Sequence, residues 1–193
     1  IKDQAMPEIE ELLETSQFIL GPQVKRFEDA FVEFCSCGHG IGVSNGTDAI
    51  KIAAKALELG DSPRVFMPAN TFVATVGAIC ELGATPVFVD CNDTFCMNVD
   101  LVEEKITEKT KALLPVHFTG YMSDMRKITE LANKHDLVVV EDACQSILGA
   151  IDGKNAGTWG YPGAFSLHPL KNINVWSDGG VVVTDDDNLN KKL

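Results

Sequence analysis

The sequence predicts a three-layer α/β/α fold around a mostly parallel central sheet. Two observations carry that prediction. Short strand-like runs alternate along the chain with stretches of helical periodicity. The runs are also continuously apolar, as in "LVVV" at 137–140. Strands buried on both faces read this way, and helices covering both faces of a parallel sheet are what bury them.

The elements follow in order. Helices are expected at 5–17 and 22–35, separated by Gly21-Pro22. In the second, Phe27, Phe31 and Phe34 recur at spacings of four and three as one apolar stripe. "GIGV" at 40–43 is a short strand. A helix over 46–59 places Ile50, Ala53, Ala54 and Leu57 on one face and stops at Gly60. "RVFM" at 64–67 is a strand, and 71–82 is a helix closed by Gly83. A strand at 85–90, a helix at 99–108 and a strand at 111–118 continue the alternation. Asp124 is placed to cap a helix running to about His135. The apolar run at 137–142 ends in two acids, and "GAFSLH" and "GGVVVT" supply two last strands. Neither an internal repeat nor a low-complexity tract interrupts the pattern.

Composition bounds the function. The 193 residues are 45% hydrophobic and 23% charged, enough for one sizeable core. A formal net charge of −12 argues against nucleic acid or an anionic membrane as partner. No run of about 18 apolar residues suggests a membrane span. No secretory signal is visible. The chain starts at Ile1 and ends in "NLNKKL", which reads as the start of a helix, so a fragment of a longer protein is expected. The cysteines, Cys35, Cys37, Cys80, Cys91, Cys96 and Cys144, form no paired C-x-x-C framework. "CSC" at 35–37 is the most ligand-like spacing and lacks a partner cluster. Buried or loop thiols, no metal, and a reducing cytoplasmic compartment are expected.

In a doubly wound sheet, ligands bind at the carboxyl ends of the strands. The informative residues are therefore Ser44 to Thr47, Pro68 to Phe72, His117, Glu141-Asp142 with Gln145, and Ser166 to Lys171. "SNGT" at 44–47 runs from a strand into a helix. It reads either as a simple N-cap or as a phosphate site of free N–H groups with Gly46 allowing close approach. Asp142 ends a buried strand. It either caps the next segment or meets an arginine, or it pairs with a protonated heterocycle nitrogen on a ligand. Lys171 stands alone among apolar and neutral neighbours. It either reaches the surface from a loop or is a desolvated amine with a lowered pKa, as Schiff-base lysines require. A phosphate site, a carboxylate for a ring nitrogen and a nucleophilic amine are together the grips that pyridoxal phosphate needs.

Six stretches carry a resemblance: "FILGPQVKRFEDAF" at 18–31, "VSNGTDAI" at 43–50, "PANTFVAT" at 68–75, "GATPVFVD" at 83–90, "VVVEDACQSILGA" at 138–150 and "FSLHPLKNINVWSDGG" at 165–180. In order and spacing the chain resembles the sugar aminotransferase family typified by DegT, DnrJ, EryC1 and StrS, within fold type I of the pyridoxal-phosphate enzymes. The resemblance spans almost the whole chain. It implies that residues 1–193 are the N-terminal part of a cofactor-binding large domain, with the smaller C-terminal domain absent. Lys171 is then the Schiff-base and proton-transfer residue, and Asp142 the partner of the ring nitrogen. Gln145 lies near the ring hydroxyl. Gly46 and Thr47 hold the phosphate with Ser166 assisting, and Phe72 stacks on the ring. His117 matches a family position near the site without a defined role, and His168 is positional. Cys144, in "CQS", replaces the commoner alanine.

The implied reaction moves an amino group from an amino acid, glutamate first, to a nucleotide-linked keto sugar, in a homodimer with shared sites. A sugar dehydratase on the same scaffold is the alternative enzyme, but those relatives carry histidine where Lys171 stands. A regulatory homologue that binds cofactor without turnover is the other alternative.

Overall fold

A computed structural model describes residues 1–59 and 62–193, so the predicted helix stop at Gly60 lies outside the described residues. The strands are β1 (His39–Val43), β2 (Arg64–Pro68), β3 (Thr85–Val89), β4 (Thr110–Leu113), β5 (Val138–Val139), β6 (Glu141–Asp142), β7 (Ala150–Ile151), β8 (Lys154–Asn155), β9 (Pro162–Ser166) and β10 (Gly180–Thr184). The α-helices are α1 (Lys2–Thr15), α2 (Pro22–Cys35), α3 (Gly46–Ala56), α4 (Val73–Cys80), α5 (Met125–Lys134) and α6 (Asp187–Asn190).

Residues 138–142 hold the sheet together. Val138–Val139 pairs with β4, and Glu141–Asp142 pairs with β9, all in parallel. The Asp142 amide still donates to Pro115 O, and its carbonyl accepts from His117 N, so the ladder toward β4 is kept. The sheet thus reads β3-β2-β4-β5/β6-β9-β10-β1. It is mostly parallel, as expected. The exception is β10, which runs antiparallel to both β9 and β1.

Pleating divides the apolar strand residues between two helical layers. Met67, Val140, Ala164 and Val182 face a core with α3 and α4. Phe66, Leu113 and Val139 face α5. Phe165, Val181 and Val183 face α2 on the same side as α5, where the Phe31 and Phe165 rings meet edge-on at 5.2 Å. The parity places Asp142, in step with Val140, toward the α3/α4 layer, and Glu141, in step with Val139, toward the other.

Several expectations are corrected. The helix predicted at 99–108 is two short 3₁₀ turns, Val99–Leu101 and Glu103–Lys105. Val99 and Val102 are buried there at a spacing of three, which suits a 3₁₀ turn, and Ile106 is already extended. The stripe on α2 runs through Phe27, Phe31 and Cys35, and Phe34 is 40% exposed. The strand predicted at 111–118 begins at Thr110 and ends at Leu113, because Pro115 interrupts the donors. A hairpin of β7 and β8 was not expected. Its turn is Asp152-Gly153, both at positive φ (53° and 77°), the dipeptide that a two-residue hairpin favours. Asp124 does cap α5, accepting from Lys127 N. Burial pushes the Cys35 thiol up to about 12 and the Cys37 thiol to about 11. Among the described residues no helix is long and apolar enough to cross a membrane.

Candidate active site

The carboxyl ends of β1, β2, β6 and β9 open into one cavity of about 270 Å³ on the α3/α4 side. All seven residues to which the resemblance gives a cofactor role border it: Gly46, Thr47, Phe72, Asp142, Gln145, Ser166 and Lys171. A larger and more open hollow, about 540 Å³ beside Trp159, holds none of them.

The wall formed by α3 begins with a cap. Asn45 Oδ1 accepts from Asp48 N at 2.8 Å, and the Asp48 carboxylate in turn takes the Ser44 hydroxyl and the Asn45 amide. Asn45 therefore serves as N-cap, and the Gly46 and Thr47 amides of the first turn stay without intrahelical acceptors. The helix dipole concentrates positive potential there. A Cβ on Gly46 would lie 2.6 Å from Ser166 Cβ and 3.1 Å from Cys144 Sγ. Only glycine lets the helix start approach the end of β9 this closely. Gly46→Ala is expected to lower stability by about 1–3 kcal/mol, the usual cost of overpacking, as read from urea unfolding.

Asp142 forms the floor. It is 5% exposed, with Oδ2 accepting from Thr75 Oγ1 at 2.7 Å and Oδ1 from Cys144 N at 3.1 Å. Lys171 is half-buried in a turn where its amide donates to His168 O at 2.8 Å. Its ammonium takes part in no ion pair among the described residues. The Cys144 thiol reports on both charges. Burial holds it well above its ordinary pKa, the Asp142 carboxylate adds to that, and Lys171 opposes it. Cation and carboxylate thus act on one sulfur at the cavity wall.

The remaining wall is mixed. Phe72 is 66% exposed at the start of α4. Gln145 Oε1 accepts from Thr119 N at 2.8 Å, which fastens the left-handed turn at Thr119 (φ 55°). Ser166 Oγ accepts from His168 N at 3.4 Å, and His168 Nδ1 accepts from Leu170 N. His168 therefore braces the loop that carries Lys171.

His117 does not border the cavity. It is fully buried behind Asp142, with Nδ1 accepting from Ser123 N at 3.2 Å, which puts its proton on Nε2, 2.9 Å from Glu141 Oε2. Glu141 is fully buried as well. It also accepts from the amides of Gly157, Trp159 and Gly160 at 2.9, 2.5 and 2.6 Å. It pins the 157–160 turn that leads into β9. The adjacent acids at 141–142 signal only that one of them faces away from the cavity, since strand pleating sends them to opposite faces.

The family model described as the DegT/DnrJ/EryC1/StrS aminotransferase family matches residues 1–193. The chain is 43% identical over 193 residues to a pleiotropic regulatory protein of Geobacillus stearothermophilus, covering 100% of this chain and 52% of that protein. It is 42% identical over 194 residues to a UDP-N-acetyl-3-dehydro-alpha-D-glucosamine 3-aminotransferase of Acidithiobacillus ferrooxidans, covering 100% of this chain and 53% of that one. The crystal structure of NtdA from Bacillus subtilis with bound cofactor PMP superposes with a TM-score of 0.90 at 41% identity, over 97% of this chain and 42% of that structure. The chain spans about half the length of the curated relatives it matches.

Proposed function

The chain belongs to the DegT/DnrJ/EryC1/StrS aminotransferase family, and on that premise we propose that the full protein is a pyridoxal-phosphate-dependent transaminase acting on a nucleotide-linked keto sugar. One observation carries the reading: the amine of Lys171, the carboxylate of Asp142 and the open first turn of α3 border a single cavity. These groups fit the cofactor. The close approach of Gly46 to Ser166 brings the first-turn amides and the serine hydroxyl together at one end of the cavity, and the carboxylate is held by two donors with acceptor capacity to spare. When bound, pyridoxal phosphate supplies an aldehyde that links to amines and a protonated ring that accepts the electron pair of an adjacent carbanion.

The residues of the chain have separate tasks in this reading. The Gly46 and Thr47 amides, with the Thr47 and Ser166 hydroxyls, bind the phosphate. Asp142 keeps the proton on the ring nitrogen. Phe72 covers one ring face, and Gln145 presents its amide toward the ring hydroxyl. Lys171 Nζ would be the amine that links to the aldehyde, and when free would serve as the base that moves the proton transamination requires. Glutamate is the proposed donor. Leu170, which borders the cavity and is 88% exposed, supports a second copy of the chain covering the site.

A second reading is favoured by the Geobacillus relative, whose name is that of a regulator: a cofactor-binding protein without turnover. One experiment separates the two. Full-length protein incubated with pyridoxal phosphate is expected to gain a visible absorbance band, and glutamate is expected to bleach it toward the amine form. A band that no amino acid bleaches would support the regulatory reading. A panel of 3-keto and 4-keto sugar nucleotides then identifies the acceptor.

A further inference from the structure

Thr75 is 1% exposed and makes the shortest bond to the Asp142 carboxylate, 2.7 Å from Oγ1 to Oδ2. A hydroxyl has one proton to give. Because Thr75 gives its proton to Asp142, the hydroxyl of Thr71, 2.8 Å from Thr75 Oγ1, is the donor in that second contact. The two threonines stand four residues apart at the start of α4, and Thr71 borders the cavity. A line of hydroxyls therefore runs from the cavity wall into Oδ2, and each bond polarises the next. Oδ1 is held independently by Cys144 N. Two donors from two different elements thus fix the plane of one carboxylate.

We propose that Thr75 is a positioning residue, which aims Asp142 at the ring nitrogen of the cofactor; this rests on the cavity being the pyridoxal-phosphate site. Without the hydroxyl, the carboxylate retains only the Cys144 amide and can turn about its own axis. The lone pair facing the cavity then loses its fixed direction. Valine fills nearly the same volume, so the substitution acts through the lost hydroxyl more than through the packing of α4.

The test uses full-length protein, Thr75→Val and Thr75→Ser. Three quantities are read: the Kd for pyridoxal phosphate from absorbance titration of the apoprotein, kcat and KM for transamination, and the melting temperature of the apoprotein. Thr75→Val is expected to weaken cofactor binding by about ten- to a hundredfold, the range for a hydrogen bond to a charged group. It should lower kcat more than it raises KM for the donor, with the apoprotein melting somewhat lower because a buried carboxylate loses one of its donors. Thr75→Ser is expected to restore both cofactor binding and kcat. Wild-type binding and turnover in Thr75→Val would overturn the assignment. So would a serine variant as impaired as the valine one, or a binding loss that disappears at a temperature where the valine variant is fully folded. Failure of the wild-type protein itself to bind pyridoxal phosphate would overturn the cofactor reading, and the threonine assignment with it.

Discussion

Lys171→Ala is expected to abolish transamination. The lysine has two tasks in the proposed mechanism, holding the cofactor's aldehyde and moving the proton, and alanine performs neither. General acid–base transfer alone contributes about 10²- to 10⁴-fold, so the rate with glutamate should fall by at least that factor. The cavity itself should survive. Lys171 makes no ion pair among the described residues, and its structural bond is through the backbone amide to His168 O. Urea unfolding of the variant should therefore match wild type, and added pyridoxal phosphate should give no lysine-linked visible band. A variant that keeps more than a small fraction of turnover would remove Lys171 from the mechanism.

The second large effect concerns stability. The Glu141 carboxylate accepts four N–H groups while fully buried: His117 Nε2 and the amides of Gly157, Trp159 and Gly160. Glutamine has the same shape but only one acceptor oxygen, and its NH₂ group would face donors. Two donors left without partners cost about 1–3 kcal/mol each, so Glu141→Gln should lose roughly 2–6 kcal/mol in urea unfolding. That is a large share of the about 5–15 kcal/mol that holds an ordinary domain folded. The loss should spread to the 157–160 turn, with faster amide hydrogen exchange at Gly157, Trp159 and Gly160.

The contrast between these residues explains what the sequence made legible. Strand ends could be located because the apolar run at 137–140 stops at Glu141-Asp142 and "GAFSLH" gives way to a loop, although that strand ends at Ser166, and the sheet topology gathers such ends at one edge. That is why Gly46, Asp142 and Lys171, spread over 126 positions, could be expected at one cavity and do border it. Pairings across the fold were not legible. Thr75 meets Asp142 at a separation of 67 residues, and Glu141 reaches the 157–160 amides on the opposite face. No local pattern encodes either bond. The 99–108 segment was misread because valines three apart fit an α-helix and a 3₁₀ turn equally well over so short a stretch. The direction of β10 was not readable either, since "VVV" buried on both faces looks the same whichever way the strand runs.

The most direct measurement is to trap the cofactor on the protein. Full-length protein is incubated with pyridoxal phosphate, reduced with borohydride and digested, and the modified lysine is identified by mass spectrometry. A stable adduct on Lys171 is expected in wild type, with none at that peptide in Lys171→Ala. Labelling at any other lysine, or none under conditions where the visible band forms, would contradict it.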